Sequence, residues 1–460
     1  MPGPHPYAER RTRLQAQVPS GLLLLLGNEE SPMNYGDNTY PFRQDSTFLY
    51  FTGVDRPGFA AVLDLDDNHA TLFGHDATLD EIVWTGAQPS VRSLAEAAGM
   101  ARTAPLAELK GTLARAQASG RPVHFLPPYR AEHRLALLEL LGLPPEVQGT
   151  RVSVPFIQAV ANLRIRKAPE EIQEIERAVE VSVAMHLEAM AMARPGLREA
   201  EIMGRVTEIA LASGGGLSFP VIATVRGGVL HNHHYGHTLE KGQLFLLDAG
   251  AETAGHYAGD LSSTFPVDRT FTARQRDLHD LVLRAFLAAV AFLRPGVDFK
   301  DAHLLACRTL AAGLKDLGLM KGDVDEAVAQ GAHALFFPCG LGHLMGLDVH
   351  DMESLGEAWV GYEGRPRSTQ FGLKSLRLAR ELQEGFVLTV EPGIYFMPEL
   401  TARWRSEGRC TDFIDYGALE AYGGFGGLRI EEDFLITAGG SRRLGPPKPR
   451  TAAEIEALRA

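Results

Sequence analysis

The sequence predicts a two-domain chain with α/β character in its first part, and three observations lead there. Its 460 residues exceed what one small domain needs. Over residues 1–160, short apolar runs alternate with helix-compatible stretches. Near residue 165 that alternation gives way to a long stripe of apolar residues at helical spacing.

Residues 1–20 are polar and helix-compatible, and the five leucines between Gly21 and Gly27 read as a buried strand. Residues 40–53 begin as a loop and continue as an amphipathic segment. Residues 60–64 and 70–73 are expected to pair as strands across the turn Asp66-Asp67-Asn68. Helices are expected over 80–84, 91–98 and 106–118, and a strand over 122–126. Pro169 then suits the first turn of a helix, with Glu170 and Glu171 at the positive end of its dipole. Ile172, Ile175, Val179, Val183, His186, Leu187 and Met190 form its buried stripe, and Arg194-Pro195-Gly196 ends it. The expected domains are therefore 1–160 and 161–460. In the second, helices are expected over 199–213, 272–293 and 299–317, and strands over 218–225, 243–249, 389–396 and 427–437. The tail from Arg442, with three prolines, either wraps or frays.

Composition narrows the function. The formal charge of −12 comes without any basic block, which argues against a nucleic-acid surface. Cys307, Cys339 and Cys410 are widely spaced, so neither a disulfide framework nor a zinc–thiolate finger is expected. The longest apolar run, residues 22–26, is far short of the roughly 20 residues that cross a bilayer. No membrane partner and a soluble, reducing, cytoplasmic setting are the expectation.

Chemistry concentrates after residue 160. Asp248 ends an apolar run, and Asp260 sits in the expected return strand of the same hairpin, where two facing carboxylates can share a metal. Either acid alone can instead cap a turn. Glu391 interrupts the apolar run Val387-Leu-Thr-Val-Glu-Pro-Gly, where an unpaired carboxylate costs several kcal/mol. Glu431 lies in Leu428-Arg-Ile-Glu-Glu-Asp433, where alternation puts Arg429, Glu431 and Asp433 on one face; a surface Arg429–Glu431 pair is the alternative. His343 and His350 lie in residues 337–351, Phe-Pro-Cys-Gly-Leu-Gly-His-Leu-Met-Gly-Leu-Asp-Val-His-Asp. That stretch is too glycine-rich for a stable helix, and its Gly340 and Gly342 let the backbone approach closely. Four carboxylates with one imidazole suit a pair of Mn²⁺, Fe²⁺, Co²⁺ or Zn²⁺ ions, and a bridging hydroxide then points to hydrolysis.

In this order and in these frames, Asp248, Asp260, His343, Glu391 and Glu431 resemble the pita-bread metallopeptidases. Leu246-Leu-Asp-Ala-Gly250, Gly340-Leu-Gly-His343, Thr389-Val-Glu-Pro-Gly-Ile-Tyr395 and Leu428-Arg-Ile-Glu-Glu-Asp433 are similar to the Xaa-Pro branch in particular. Residues 40–53 and 80–86 resemble the N-terminal domain of aminopeptidase P. The resemblance implies a creatinase-like α/β N-terminal domain, a pita-bread α+β catalytic domain, and cleavage of peptides with proline in second position. It implies two divalent ions, Mn²⁺ as the usual choice, with Asp248 chelating one, Asp260 and Glu431 bridging, and His343 and Glu391 completing the other sphere. It further implies catalytic roles for His231 (His234 remaining an alternative), His350 and Glu391. Arg429 is implied to hold a bridging acid, and Tyr395 belongs to the same surroundings. Trp84 resembles an aromatic that reaches a neighbouring subunit's site, which implies a homo-oligomer, dimer or tetramer. Arg377 sits where prolidases hold a dipeptide's carboxylate, so a dipeptidase is the alternative to an aminopeptidase; an exposed helix arginine is the plain alternative for that residue. A non-catalytic peptide- or protein-binding module is a further alternative. Cys339 departs from the family, which usually has histidine there. A thiol is smaller and a poor proton carrier at neutral pH.

Overall fold

The computed structural model describes residues 6–460, so the first five residues of the expected 1–20 stretch lie outside it. The chain forms two compact units. One runs to residue 164 and takes back 352–360; the other holds 165–351 and 361–460.

In the first unit the leucine run forms β1 (Leu22–Leu26), antiparallel to β2 (Ala60–Asp64) with Leu24 opposite Val62. β2 pairs with β3 (His69–Gly74) across the expected turn, Ala60 opposite Phe73. β4 (Arg102–Pro105), not foreseen from the sequence, lies parallel beyond β3, and β5 (Val123–His124) lies parallel to β1. The order β4-β3-β2-β1-β5 makes a mixed sheet. Leu22, Leu24, Val62 and Phe73 pack with Leu109 and Leu113 of the helix Leu109–Ala118 and Leu137 of the helix Ala131–Leu141. Such apolar burial is the main stabilising term of the unit.

Several local expectations change. Residues 46–52 are a helix capped by Asp45, and all seven residues are buried, so the segment is not amphipathic. Its polar groups are satisfied internally: Thr52 donates to the Phe48 carbonyl, and Arg164 donates to Thr47. The strand expected over 122–126 keeps only two residues. The helices Ala131–Leu141, Pro145–Arg151 and Val154–Arg164 were not expected. In Ala131–Leu141 the leucines fall on no single face, since Leu137 is buried while Leu135 and Leu138 are exposed, and a stripe is what sequence reading detects.

The second unit opens with the helix Pro169–Met192, whose Glu171 carboxylate accepts from the Ala168 amide. Ile175, Val179, Val183, His186 and Met190 of the expected stripe are buried; Ile172 and Leu187 are at its margin. β6 (Gly216–Leu217) pairs with β9 (Ala251–Glu252), and between them β7 (Ile222–Thr224) and β8 (Leu244–Asp248) join β10 (Ser262–Pro266) in a three-stranded antiparallel sheet. The helix Ala273–Phe292 begins at a Thr272/Gln275 capping box and packs against Phe299–Asp316.

The expected strands 389–396 and 427–437 are each two strands. β11 (Val387–Val390) and β12 (Gly393–Tyr395) are separated at Glu391-Pro392, and β13 (Gly427–Arg429) and β14 (Glu432–Thr437) at Ile430-Glu431. β11 pairs with β14 and β12 with β13, so both breaks fall at one level. Proline has no N–H for the ladder, which places the first break. The tail does not fray: β15 (Gly440–Arg443) adds to β14, and the helix Ala452–Leu458 follows. No described helix is long and apolar enough to cross a membrane.

Candidate metal centre

The five acidic and imidazole candidates come from separate segments of the second unit and line one cavity of about 550 Å³. Asp248 is the last residue of β8, opposite Ser262 rather than Asp260. The facing-carboxylate expectation is therefore corrected: Asp260 lies two residues ahead of β10 and reaches the cavity from the irregular segment before that strand. Its amide donates to Asp433 Oδ2 at 3.0 Å, which holds that segment against β14. Glu391 and Glu431 project from the paired breaks. Glu431 stays on β10 through its amide to the Ser262 carbonyl, and its Oε2 accepts from Ser262 Oγ at 2.7 Å.

His343 is carried by a segment laid along β11. Thr389 N donates to the His343 carbonyl, Met345 N to the Val387 carbonyl, and His343 N to Thr389 Oγ1. This approach requires Gly342, where a Cβ would lie 2.1 Å from the Thr389 carbonyl oxygen. Gly340 is less confined, its nearest neighbour being a Leu376 methyl at 3.3 Å. The far end of the segment is anchored by a buried Lys167–Asp351 ion pair at 2.8 Å. Gly342→Ala should displace the His343 ring and lower kcat/KM by about 10²-fold, the order expected for a misplacement of about 1 Å. Steady-state kinetics beside a circular-dichroism melt will show whether the loss is local.

His343 Nδ1 faces the Leu344 carbonyl at 3.0 Å, the contact of an Nδ1–H donor, which leaves Nε2 with its lone pair toward the acids. Nε2 is 3.3 Å from Asp260 Oδ2 and 3.7 Å from Glu391 Oε1. Donor atoms of Asp260, His343 and Glu431 all lie within 4.8 Å of one another, and Asp260 Oδ1 is buried without a hydrogen bond. Burial, and then the neighbouring acids, raise Asp260 and Glu431 well above the usual carboxylate range. Glu391 is raised by burial, against the pull of His343 and Arg429. Burial lowers His343, keeping the imidazole neutral. A divalent cation fits this set: it would offset the mutual repulsion and take the free lone pairs.

Arg429 is buried, which removes the surface-pair alternative. It donates from Nε to Ser262 Oγ at 2.8 Å, from Nη1 to Tyr395 Oη at 2.7 Å, and from Nη2 to Asp248 Oδ2. The acid it contacts is thus Asp248, and it reaches Glu431 only through Ser262. His231, His233 and His350 line the cavity, and the His350 ring lies 4.2 Å from that of His343; His234 instead meets His237 edge-on. Burial, then Arg429, lower the His231 pKa. Arg377 also lines the cavity and lies outside any helix, so the exposed helix arginine is set aside. Cys339 lines it too, its thiol pushed up to about 12 by burial and then by Glu391. Trp84 belongs to the other unit, on a helix, Leu79–Thr85, with no buried residue.

Sequence reading missed Ser262, Thr389 and Lys448, and it put Asp433 on the face of Arg429 and Glu431 without giving it a role. Lys448 donates to the Ser262 carbonyl and to Ser263 Oγ. Ser262 stands two residues after Asp260, a spacing that alternation could have flagged; Lys448, in a proline-rich tail, gave no signal.

Residues 173–438 match the profile of metallopeptidase family M24, and residues 7–124 match that of the aminopeptidase P N-terminal domain. The chain belongs to metallopeptidase family M24. This M24 chain is 32% identical to the Xaa-Pro aminopeptidase of Escherichia coli K12, across 98% of this chain and 97% of that one. It is 31% identical to the human Xaa-Pro dipeptidase, across 98% and 91%. Among solved structures, proline aminopeptidase P II from Yersinia pestis superposes with a TM-score of 0.81 at 29% identity, covering 99% of this chain and 98% of that one. E. coli aminopeptidase P with the inhibitor Pro-Leu also gives 0.81, at 31% identity, covering 99% and 97%. The fold is thus an aminopeptidase P-type N-terminal domain followed by an M24 catalytic domain, and the enzyme is a hydrolase using divalent metal.

Proposed function

We propose that this M24 enzyme is an Xaa-Pro aminopeptidase that removes the first residue from peptides with proline in second position. The observation that carries this reading is the meeting of Asp248, Asp260, His343, Glu391 and Glu431 in one cavity, flanked by His231 and His350. These five residues would hold two divalent ions, Mn²⁺ by preference. When bound, such ions supply Lewis acidity and lower the pKa of water toward neutrality.

The chain's own groups do the rest. Glu391, whose carboxyl is raised by burial, is the candidate to hold and pass a proton. His231 and His350, on the cavity wall, are placed to donate to the scissile carbonyl oxygen as charge develops there. The prolyl imide has no N–H, so the site needs no acceptor for one. Phe219, Pro220, Ile222 and Phe371 give the cavity an apolar wall for the ring.

Arg377 on the wall supports a second reading, an Xaa-Pro dipeptidase, because a guanidinium there suits a free carboxylate. The test is Mn²⁺-loaded protein on Ala-Pro and on Xaa-Pro peptides of increasing length. Turnover of longer peptides is expected; turnover of the dipeptide alone overturns the aminopeptidase. Absence of any turnover after metal reconstitution favours a binding module.

Cys339 is protonated at neutral pH and replaces a histidine, so it weakens proline-peptide turnover in this reading. Cys339→His should raise kcat by about tenfold or more, toward the 10²-fold floor for a positioned acid–base group. An unaltered rate and specificity would make Cys339 a plain filler.

A homo-oligomer completes the proposal. Leu79, Val83 and Trp84 are 82%, 77% and 86% exposed on one short helix, unusual for large apolar side chains. Trp84→Ala should shift sedimentation toward smaller species; an unchanged profile removes Trp84 from any interface.

A further inference from the structure

We propose that His303, Cys307 and His333 form a second metal site, separate from the carboxylate cavity, that takes one thiophilic ion, Zn²⁺ or copper. His303 and Cys307 are four residues apart on the helix Phe299–Asp316, hence on one face. His333 approaches from the 3₁₀ turn Ala332–Leu335. One donor atom from each lies within 4.8 Å of the others, and all three residues are buried. His303 Nε2 is 3.3 Å from Cys307 Sγ. Two ligands of one tetrahedral zinc ion would stand about 3.5 Å apart, from bonds of about 2.0 and 2.3 Å.

A hydrogen bond between thiol and imidazole accounts for that one contact and leaves the rest unexplained. His303 Nδ1 and both ring nitrogens of His333 are buried without a hydrogen bond. The Val328 carbonyl lies near the His333 ring but short of hydrogen-bond geometry. Buried polar atoms are ordinarily satisfied, and an ion held by Cys307 Sγ and one nitrogen from each ring would give one of the His333 nitrogens its partner. Burial also holds His303 near pKa 3 and His333 near 4, so both imidazoles are neutral, as metal ligands must be. Burial raises the Cys307 thiol, and ion binding would therefore release its proton.

The donor set separates this site from the catalytic one. Two imidazoles and a thiolate select zinc and copper, whereas the carboxylate-rich cavity suits harder ions such as Mn²⁺. Position suggests its effect. The turn carrying His333 leads into the stretch that bears His343, and the Phe337 ring lies 5.5 Å from His303. An ion here would tie the helix to the entry of the catalytic segment.

The test is a Co²⁺ titration of the stripped full-length chain. Wild-type protein should develop a thiolate-to-cobalt charge-transfer band in the near ultraviolet, saturating at one ion per chain. Cys307→Ser should abolish that band and lower the total bound by one ion. Cys339→Ser should keep it. His303→Gln, expected to weaken cobalt binding at least tenfold, is the second variant should the serine variant misfold. Added Zn²⁺ or Cu⁺ should then bleach the band, and the one acting at stoichiometric amounts is the ion preferred. No band in wild type, bleaching by neither ion, or loss of the band in Cys339→Ser instead of Cys307→Ser overturns the proposal.

Discussion

Asp260→Asn should lower Xaa-Pro hydrolysis by about 10³-fold or more and yet stabilise the metal-free protein. The two effects share one cause. Asp260 is buried beside Asp248, Asp433 and Glu391, its Oδ1 has no hydrogen bond, and its pKa is raised well above the usual range. Without a cation this acid is a cost to the fold. A neutral amide of the same shape relieves it, by about 1–2 kcal/mol, the order of one pKa unit of lost stability at neutral pH. The activity loss follows because a Lewis-acid contribution is worth several kcal/mol and each 1.4 kcal/mol is tenfold in rate. Denaturant melts with and without chelator, beside kcat/KM on an Xaa-Pro peptide, measure both. An unaltered rate refutes the ligand role. A metal-free variant less stable than wild type would make Asp260 an ordinary structural acid.

Arg429→Met should be the most destabilising substitution at the site, costing about 3–5 kcal/mol, the range for removing one partner of a buried ion pair. The guanidinium is buried and donates to Ser262, Tyr395 and Asp248 together. Burial alone would lower its pKa, but Tyr395, Asp248, Glu391 and Glu431 outweigh that and raise it well above the ordinary value. Truncation leaves Asp248 buried without its cation and frees Ser262, which carries Glu431. Metal affinity should fall by about 10–100-fold, as for groups that orient ligands. Arg429→Lys keeps the charge but not the fork, so it should recover part of the stability and little of the affinity. Denaturant midpoints and metal titration of both variants will show this; a lysine variant equal to wild type in both would reduce Arg429 to a simple counter-charge.

What the sequence determined by itself was local. The leucine run, the hairpin over Ala60–Asp64 and His69–Gly74, the capped helix after Thr272 and the long helix from Pro169 follow from period, caps and turn residues, which act within a few residues. The candidate acids were legible because a carboxylate inside an apolar run is costly unless something compensates it. Order and frame, through resemblance, then supplied the family.

Tertiary structure decided the rest. Only the pairing of β11 with β14 and β12 with β13 shows that Glu391 and Glu431 sit in matched breaks rather than in continuous strands. Only the ladder register shows that Asp248 faces Ser262 and that Asp260 lies ahead of the strand. Ser262 and Lys448, and the partner that Arg429 takes, are set by contacts across more than 160 residues of chain. Periodicity is a property of neighbours along the chain, whereas a cluster of like charges in a cavity depends on which distant strands pair. That pairing is a choice of the whole fold, and it is what makes five scattered residues one site.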